Sequence, residues 1–199
     1  MHNFSTTSAQ TEPVLSNNMA IIETAYNNEA YHYWVGAPGM EDAGDTSSPT
    51  YRVGLLATGV PAHWRMDNAV NSSVSFYVRR HGEWRDGVLY TTPHYSTTAV
   101  DGDIRWRVTI TPIVNSTLST PSVVGFTTSP PSATGVITTS NLVSADMSAE
   151  SAVNPSHIGV LVTIGRQGGG AADTNTGVLY LYGVDLVYKE SRRVVGSKG

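Results

Sequence analysis

The aromatic and polar residues around position 84 are those best suited to contact a ligand. Trp84 lies in the polar turn of residues 80–87, where we expect its side chain to be exposed. An aromatic ring offers an apolar face and a polar edge, which suits the mixed surface of a sugar. Trp106 instead falls on the apolar side of an alternating stretch, which predicts a core position. The candidate glycan contact therefore consists of His81, Trp84 and Tyr95.

No residue pattern predicts a catalytic or metal site. His81-Gly82-Glu83 matches the beginning of a zinc deaminase signature, but the cysteines that must follow are absent from this chain. The six His residues include no pair at His-x-His or His-x-x-x-His spacing. Asp101-Gly102-Asp103 and the acidic stretch 41–45 lack the regular ligand alternation of a calcium loop, which favours plain turns. We therefore predict a protein that is not an enzyme and holds no cofactor or metal.

Composition excludes several further classes of function. The 199 residues carry a net charge of −4, and only 14% of them are charged. Because binding to nucleic acid needs a concentrated basic face, no nucleic-acid partner is expected. No window approaches the roughly 20 apolar residues that span a bilayer, and the first residues lack the pattern of a secretory signal. We predict a protein made in a cytoplasm, without a membrane partner.

Alternating residues predict an antiparallel sandwich. Between Ile104 and Thr111 every second residue is apolar, and the residues between them are Arg or Thr. Such a strand covers a core on one side and meets water on the other. Turn residues recur about every ten positions, which is typical of sandwiches built from short strands. We predict an all-β, jelly-roll-like antiparallel β-sandwich of about eight strands, at residues 51–57, 72–80, 87–95, 103–111, 121–127, 134–142, 157–166 and 177–189.

The two ends of the chain carry separate predictions. Residues 1–50 are polar and rich in Asn and Thr, which predicts an extended N-terminal arm or attachment segment, with a partly disordered terminus as the alternative. Residues 51–199 form the predicted sandwich domain. The last strand is apolar on both sides, which places it centrally or against a neighbouring subunit, and Gly183 within it predicts a bulge or bend. Residues 144–150 predict a short helix with Ser144 as its N-cap.

Two groups of segments resemble the β-sandwich module of tailed-bacteriophage structural proteins. The first group comprises residues 73–78, 84–90 and 102–106. The second comprises a strand that ends at Arg166, a Gly-rich loop with Asp173-Thr174, and a last strand that ends at Tyr188. In that module a strand ends in Arg, a loop carries Asp-Thr and a final strand closes the sheet. The resemblance covers about residues 70–190.

The resemblance implies a non-enzymatic virion component, most naturally a capsid decoration (cement) protein that stabilises a phage head. It further implies a homotrimer whose partner is the phage major capsid protein or a neighbouring virion protein. The predicted interface consists of Tyr26, Tyr31, Tyr33, Trp34, Leu179, Leu181 and Val187. The alternative is a carbohydrate- or host-receptor-binding module of a head, collar or tail fibre, which would use the glycan contact at Trp84.

Overall fold

A computed structural model describes residues 30–45, 47–52, 59, 61–79, 83–140, 143–146 and 157–191. Within these ranges thirteen β-strands form two antiparallel sheets, and Ala37–Gly39 form a single 3-10 turn. The predicted all-β sandwich is confirmed, with more strands than the eight expected from the sequence. No helix in the described ranges has the length and apolar character that crossing a membrane requires.

The longest strand pairing lies in the seven-stranded sheet. Its strands are β1 (Ala30–Gly36), β3 (Thr50–Arg52), β4 (His63–Met66), β6 (Glu83–Thr97), β10 (Thr138–Thr139), β11 (Val143–Asp146) and β13 (Leu179–Ser191). The last strand, β13, pairs with β6 along one side and with β1 and β4 along the other. This central position is the one predicted from the apolar residues on both sides of the strand.

The six-stranded sheet covers the other side of the core. Its strands are β2 (Glu41–Asp42), β5 (Asn71–Arg79), β7 (Ile104–Val114), β8 (Thr117–Leu118), β9 (Ser122–Thr128) and β12 (His157–Gln167). Strand β12 lies between β5 and β7. In β7 the residues Ile104, Trp106, Val108 and Ile110 are fully buried, whereas the residues between them reach solvent. The period of two therefore specifies which face of the sheet meets the core.

Two predictions about local structure differ from the described fold. Strands β1 and β2 lie inside the predicted arm of residues 1–50, so the sandwich includes chain that precedes residue 51. The predicted helix at 144–150 is wrong for residues 144–146, which lie in β11 and pair with β6, and residues 147–150 lie outside the described residues. Long-range backbone pairing outweighs the local capping preference of Ser144 here, because strand formation depends strongly on tertiary context.

The predicted core position of Trp106 is confirmed, because its side chain is fully buried. Its Nε1 donates a 2.9 Å hydrogen bond to Thr128 Oγ1, and its ring lies 5.1 Å from that of Tyr95. Tyr95 is only 1% exposed, and its hydroxyl donates to Thr128 Oγ1 at 3.1 Å and to the Ser129 carbonyl at 3.0 Å. Tyr95 is therefore a core residue, and its expected contribution to a surface glycan contact is corrected.

Because the Tyr95 hydroxyl is buried, we predict a loss of stability at alkaline pH. Burial raises its pKa above the ordinary value, and the hydrogen bond with Thr128 opposes this with a smaller effect. Its neutral form therefore contributes stability that is fully present below about pH 10 and is lost as the pH rises through the folded pKa. We expect the wild-type free energy of unfolding to fall more steeply above about pH 10 than that of Tyr95→Phe, as measured by urea unfolding. Parallel pH curves for the two proteins would contradict this.

A buried ion pair fastens the loop between β12 and β13. Neither Arg166 nor Asp173 exposes any side-chain surface, and Arg166 Nη2 and Nε donate to the two Asp173 carboxylate oxygens at 2.7 and 2.8 Å. The remaining guanidinium donors reach the carbonyls of Asn175 and Gly177. Every side of the guanidinium is thus occupied by this loop, which gives the Arg and Asp-Thr pattern of the sequence a structural role.

The same loop also closes over the turn that contains Asp101-Gly102-Asp103. Thr174 Oγ1 accepts a hydrogen bond from the Asp103 amide at 2.8 Å, and Thr176 Oγ1 donates to Asp101 Oδ2 at 3.0 Å. Gly102 has a φ of 61°, in the left-handed region that favours glycine. Asp101-Gly102-Asp103 therefore forms a turn, as its sequence predicts.

Candidate functional site

The outward side of the seven-stranded sheet collects partly exposed side chains around β13. Leu179 and Leu181 point inward and are fully buried, while Tyr180 and Tyr182, which alternate with them, point outward and reach solvent. Leu179 and Leu181 therefore fill the core of their own subunit, which corrects their expected contact across a three-fold axis. Val187 lies further along β13 and is partly exposed.

A β-bulge in β13 positions the next outward residues. Against β6, Leu181 pairs with Tyr95, whereas Gly183 pairs with the adjacent His94, so Tyr182 is the additional residue. This confirms the bulge predicted at Gly183. After the bulge Asp185 points outward, while the flanking Val184 and Leu186 are fully buried. Bulges commonly redirect side chains beside functional sites, and here the bulge brings a carboxylate to the open surface.

Trp34 covers Gly183 at the bulge. It pairs with Asp185 across the β1–β13 ladder and remains 51% exposed. A side chain at Gly183 would overlap the six-membered ring of Trp34, so the indole occupies the space above a glycine. The ring of His94 meets that of Trp34 edge-on, with 4.8 Å between centroids and 82° between planes. The indole is thus held from below and from one side.

His94 and Asp185 supply polar groups directly beside Trp34. His94 Nε2 donates a 2.7 Å hydrogen bond to Asp185 Oδ2, and both side chains are partly exposed. A carboxylate accepts more than one hydrogen bond, so Asp185 retains acceptor capacity toward solvent. This arrangement orients the imidazole and leaves hydrogen-bonding groups next to an exposed aromatic surface.

A second aromatic group lies on the other side of the bulge. The ring of His63 is 4.9 Å from that of Tyr180 and 5.7 Å from that of Tyr182. The Tyr182 hydroxyl lies 2.9 Å from Ser96 Oγ, and His63 Nδ1 donates to the Pro61 carbonyl at 3.0 Å. We call the combined surface the aromatic face; it consists of Trp34, His63, His94, Tyr180, Tyr182 and Asp185.

The aromatic face has the chemistry of a binding surface. Its rings provide apolar area, and the hydroxyl, imidazole and carboxylate groups between them provide donors and acceptors, the combination that fixes a polar ligand. Among the residues that the structure describes, no group of three or more His, Asp or Glu is placed to hold a metal ion. What the arrangement can do chemically is bind a hydroxyl-rich ligand by stacking and hydrogen bonding.

The predicted interface and glycan residues fall in different places. Tyr33 and Trp34 are 46% and 51% exposed. Tyr31 lies in β1 opposite Tyr188, and Trp84 lies in β6 opposite Glu190, but the side chains of Tyr31 and Trp84 are outside what the structure describes. Tyr26 and His81 also lie outside the described residues. The glycan contact predicted at His81 and Trp84 therefore stays a prediction.

Sequence reasoning missed most of the aromatic face. The available signal was the Leu-Tyr-Leu-Tyr alternation of residues 179–182, which implies one outward row of tyrosines in a strand. His63, His94 and Asp185 gave no such signal, because their proximity depends on which strands pair.

The contact between the Trp34 ring and Gly183 leads to a testable prediction. A methyl group in Gly183→Ala would displace the indole, so we expect acrylamide to quench tryptophan fluorescence more strongly than in the wild type. The increase should vanish in a Trp34→Phe background. Gly169→Ala is the matched control, since the nearest atom to its added Cβ is 3.4 Å away. Unchanged quenching in Gly183→Ala would show that Trp34 does not occupy this position.

Comparisons with known proteins show the fold alone. No protein-family model and no curated protein sequence matches the chain. A structure described as a xylan-binding module, CBM15, has a TM-score of 0.50 at 15% identity and covers 82% of this chain and 100% of its own. At this identity the likeness supports the jelly-roll-like sandwich and assigns no ligand.

Two further solved structures match the chain with TM-scores under 0.5. The CBM22-2 xylan-binding domain from Paenibacillus barcinonensis Xyn10C has a TM-score of 0.49 at 9% identity, and the match covers 79% of this chain and 99% of that one. A family 35 carbohydrate binding module from Clostridium thermocellum has a TM-score of 0.47 at 10% identity, covering 78% and 97%. Both are described as carbohydrate-binding, and neither is described as a phage structural protein.

Proposed function

We propose that this chain is a non-catalytic carbohydrate-binding module that holds a polysaccharide across the aromatic face. The observation that carries the proposal is Trp34, an indole that is 51% exposed, seated on Gly183 and bordered by the His94–Asp185 hydrogen bond. An exposed apolar patch with a polar rim commonly marks a binding site, and Trp34 with the tyrosines and the His94–Asp185 pair forms such a patch. The apolar face of a sugar ring would cover the indole, while its hydroxyls meet the polar groups.

The dimensions of the aromatic face suit a chain of sugars better than a single one. Tyr180 and Asp185 lie opposite Ser96 and Thr92 of β6, which are four residues apart and so span about 13 Å of extended strand. Trp34 lies beside one end of this stretch and His63 beside the other. Two separated aromatic contacts along one line would hold successive residues of an extended oligosaccharide, and each contact would raise the local concentration of ligand for the other.

Xylan is the first ligand to test. The CBM15 structure with the same fold is described as xylan-binding, and the proposal extends a ligand of that class to this chain. The protein would be run through native gels that contain xylan, a mixed-linkage β-glucan or an α-glucan, beside a non-binding reference protein. We expect retardation in at least one β-linked polymer. Migration equal to that of the reference in every gel would contradict the proposal.

A second candidate function follows from exposed apolar side chains elsewhere. Five aliphatic side chains are about half exposed in the described part of the chain: Val100, Leu118, Val123, Val136 and Ile137. Exposed apolar groups suit an interface with another protein, as in the capsid decoration protein that the sequence resemblance implies. In that role the chain would be a homotrimer bound to the phage major capsid protein in the virion, after synthesis in the host cytoplasm.

Light scattering and sedimentation distinguish the second candidate from the first. A decoration protein would have the molar mass of a trimer and would pellet with undecorated phage heads. A monomer that remains in the supernatant would exclude the decoration role and leave carbohydrate binding unaffected. Both properties in one protein would indicate a virion module that also binds sugars.

A further inference from the structure

Two arginines and a histidine border the tyrosine end of the aromatic face. In β3, Tyr51 points inward and packs on Trp64 with 5.2 Å between ring centroids, so Arg52 beside it points outward and is exposed. In β4, Trp64 and Met66 are buried, so His63 and Arg65 point outward. The strand register places Arg52 opposite His63. We call Arg52, His63 and Arg65 the basic edge.

The basic edge touches the tyrosines of the proposed site directly. Arg65 pairs with Tyr180 across the β4–β13 ladder, and the His63 ring contacts both Tyr180 and Tyr182. Side chains directly opposite each other on one face of a sheet have Cβ atoms about 5 Å apart. A ligand stacked on the tyrosines would therefore lie next to Arg65, and Arg52 lies one strand further out, opposite His63.

The charge of the basic edge is only partly neutralised. Arg65 Nη2 lies 2.8 Å from Asp67 Oδ1, but both side chains are close to half exposed, and such surface pairs are weak and easily exchanged. Arg52 makes no ion pair within the described part of the chain. Asp185, the carboxylate of the aromatic face, lies beyond the bulge and is already bonded to His94. Against a chain of net charge −4, this corner is locally positive.

We infer that the basic edge makes the site selective for polysaccharides that carry carboxylates, that is, uronic acid units on the bound chain. This inference rests on the proposed function. A guanidinium group matches a carboxylate with two parallel hydrogen bonds, and Arg52 and Arg65 both present such a group at the border of the stacking surface. Selectivity arises because a neutral polymer leaves these donors to water, whereas a uronic acid unit engages them.

The inference is tested with one polymer in two forms. Calorimetric titration would compare glucuronoxylan with the same glucuronoxylan after its carboxyl groups are reduced to alcohols, both at low salt. We expect about fivefold tighter binding of the acidic form, the size of effect that two exposed ion pairs provide. The preference should shrink at high salt, because exposed charges are screened.

Variants assign the preference to named residues. Arg52→Gln with Arg65→Gln should remove the preference while leaving affinity for the reduced polymer unchanged. Arg107→Gln, which alters an exposed arginine on the other sheet, should retain the preference. A sulfated xylan tests for general attraction of anions. We expect its affinity to exceed that of the reduced polymer by less than the affinity of the carboxylate form does.

The outcomes separate this inference from the proposed function. Equal binding of the acidic and reduced polymers would overturn the selectivity and leave carbohydrate binding intact. Equal or tighter binding of the sulfated polymer, or a preference that persists in the double variant, would also overturn it. Absence of binding to both polymers would also overturn the selectivity for acidic xylan, whereas only migration equal to that of the reference in every native gel would overturn the proposed function.

Discussion

Trp34→Ala is expected to weaken polysaccharide binding at least tenfold, a free-energy loss of about 1.4 kcal/mol or more. The reason is that the indole is the largest apolar surface of the aromatic face, and truncation of an aromatic anchor residue commonly costs about 2 kcal/mol or more of binding free energy. Because the side chain is 51% exposed and lies outside the core, the fold should survive the change. Affinity would be measured by titration calorimetry with the polymer that the native gels identify.

The neighbouring Tyr33 provides the matched control for Trp34. It lies in the same strand with 46% of its surface exposed, but adjacent residues of a strand point to opposite sides. Tyr33→Ala should therefore bind polysaccharide as the wild type does. Both variants should retain the wild-type circular dichroism spectrum. Equal loss of affinity in the two variants, or none in Trp34→Ala, would contradict the assignment of the site.

The second large effect is on stability and concerns the buried ion pair. Arg166→Met is expected to lower the free energy of unfolding by about 3–5 kcal/mol, because it leaves the Asp173 carboxylate buried without a counter-charge. The loop that carries Thr174 and Asn175 loses its anchor at the same time. Urea unfolding followed by tryptophan fluorescence would measure the change. If this variant is insoluble, Asp173→Asn tests the same pair with less change in volume.

An exposed ion pair supplies the reference for the buried one. Asp67→Asn removes the partner of Arg65 at the surface, where both side chains are close to half exposed, and should cost no more than about 1 kcal/mol. Replacing both buried partners, as in Arg166→Met with Asp173→Leu, should be less harmful than Arg166→Met alone, since no charge is then left unpaired. Similar costs for the surface and buried variants would show that the Arg166 pair does not anchor the loop.

The longer strands could be predicted from the sequence because one face of each is uniformly apolar. The alternation of Ile104 to Ile110 and that of Val160 to Ile164 set both the strand and its buried side. Strands β2 and β8 contain two residues each, which is too short for any periodic signal. Strand β1 lacks clean alternation, because aromatic residues occupy both of its sides. Its place beside β13 follows from pairing between distant parts of the chain.

The candidate site was harder to predict than the fold. Trp34 attracts attention as an aromatic residue in a polar segment, yet its contact with Gly183 exists only because β1 pairs with β13. His94 and Asp185 are 91 positions apart, and the bulge at Tyr182 determines that the aspartate points outward. A one-residue change of register would bury that carboxylate. Residue types could therefore point to single residues of the site, such as Trp34, but not to which residues lie together.

The most direct test of the central claim is a titration of the isotopically labelled protein with a xylan oligosaccharide, followed by two-dimensional NMR of its amide and indole N–H groups. We predict that the largest shifts occur at the Trp34 indole and at the amides of Tyr180 to Asp185, and that they saturate together. Shifts confined to the turn around Trp84 or to the loop of Asp173, or saturation without any change at Trp34, would contradict the claim that the aromatic face binds the polysaccharide.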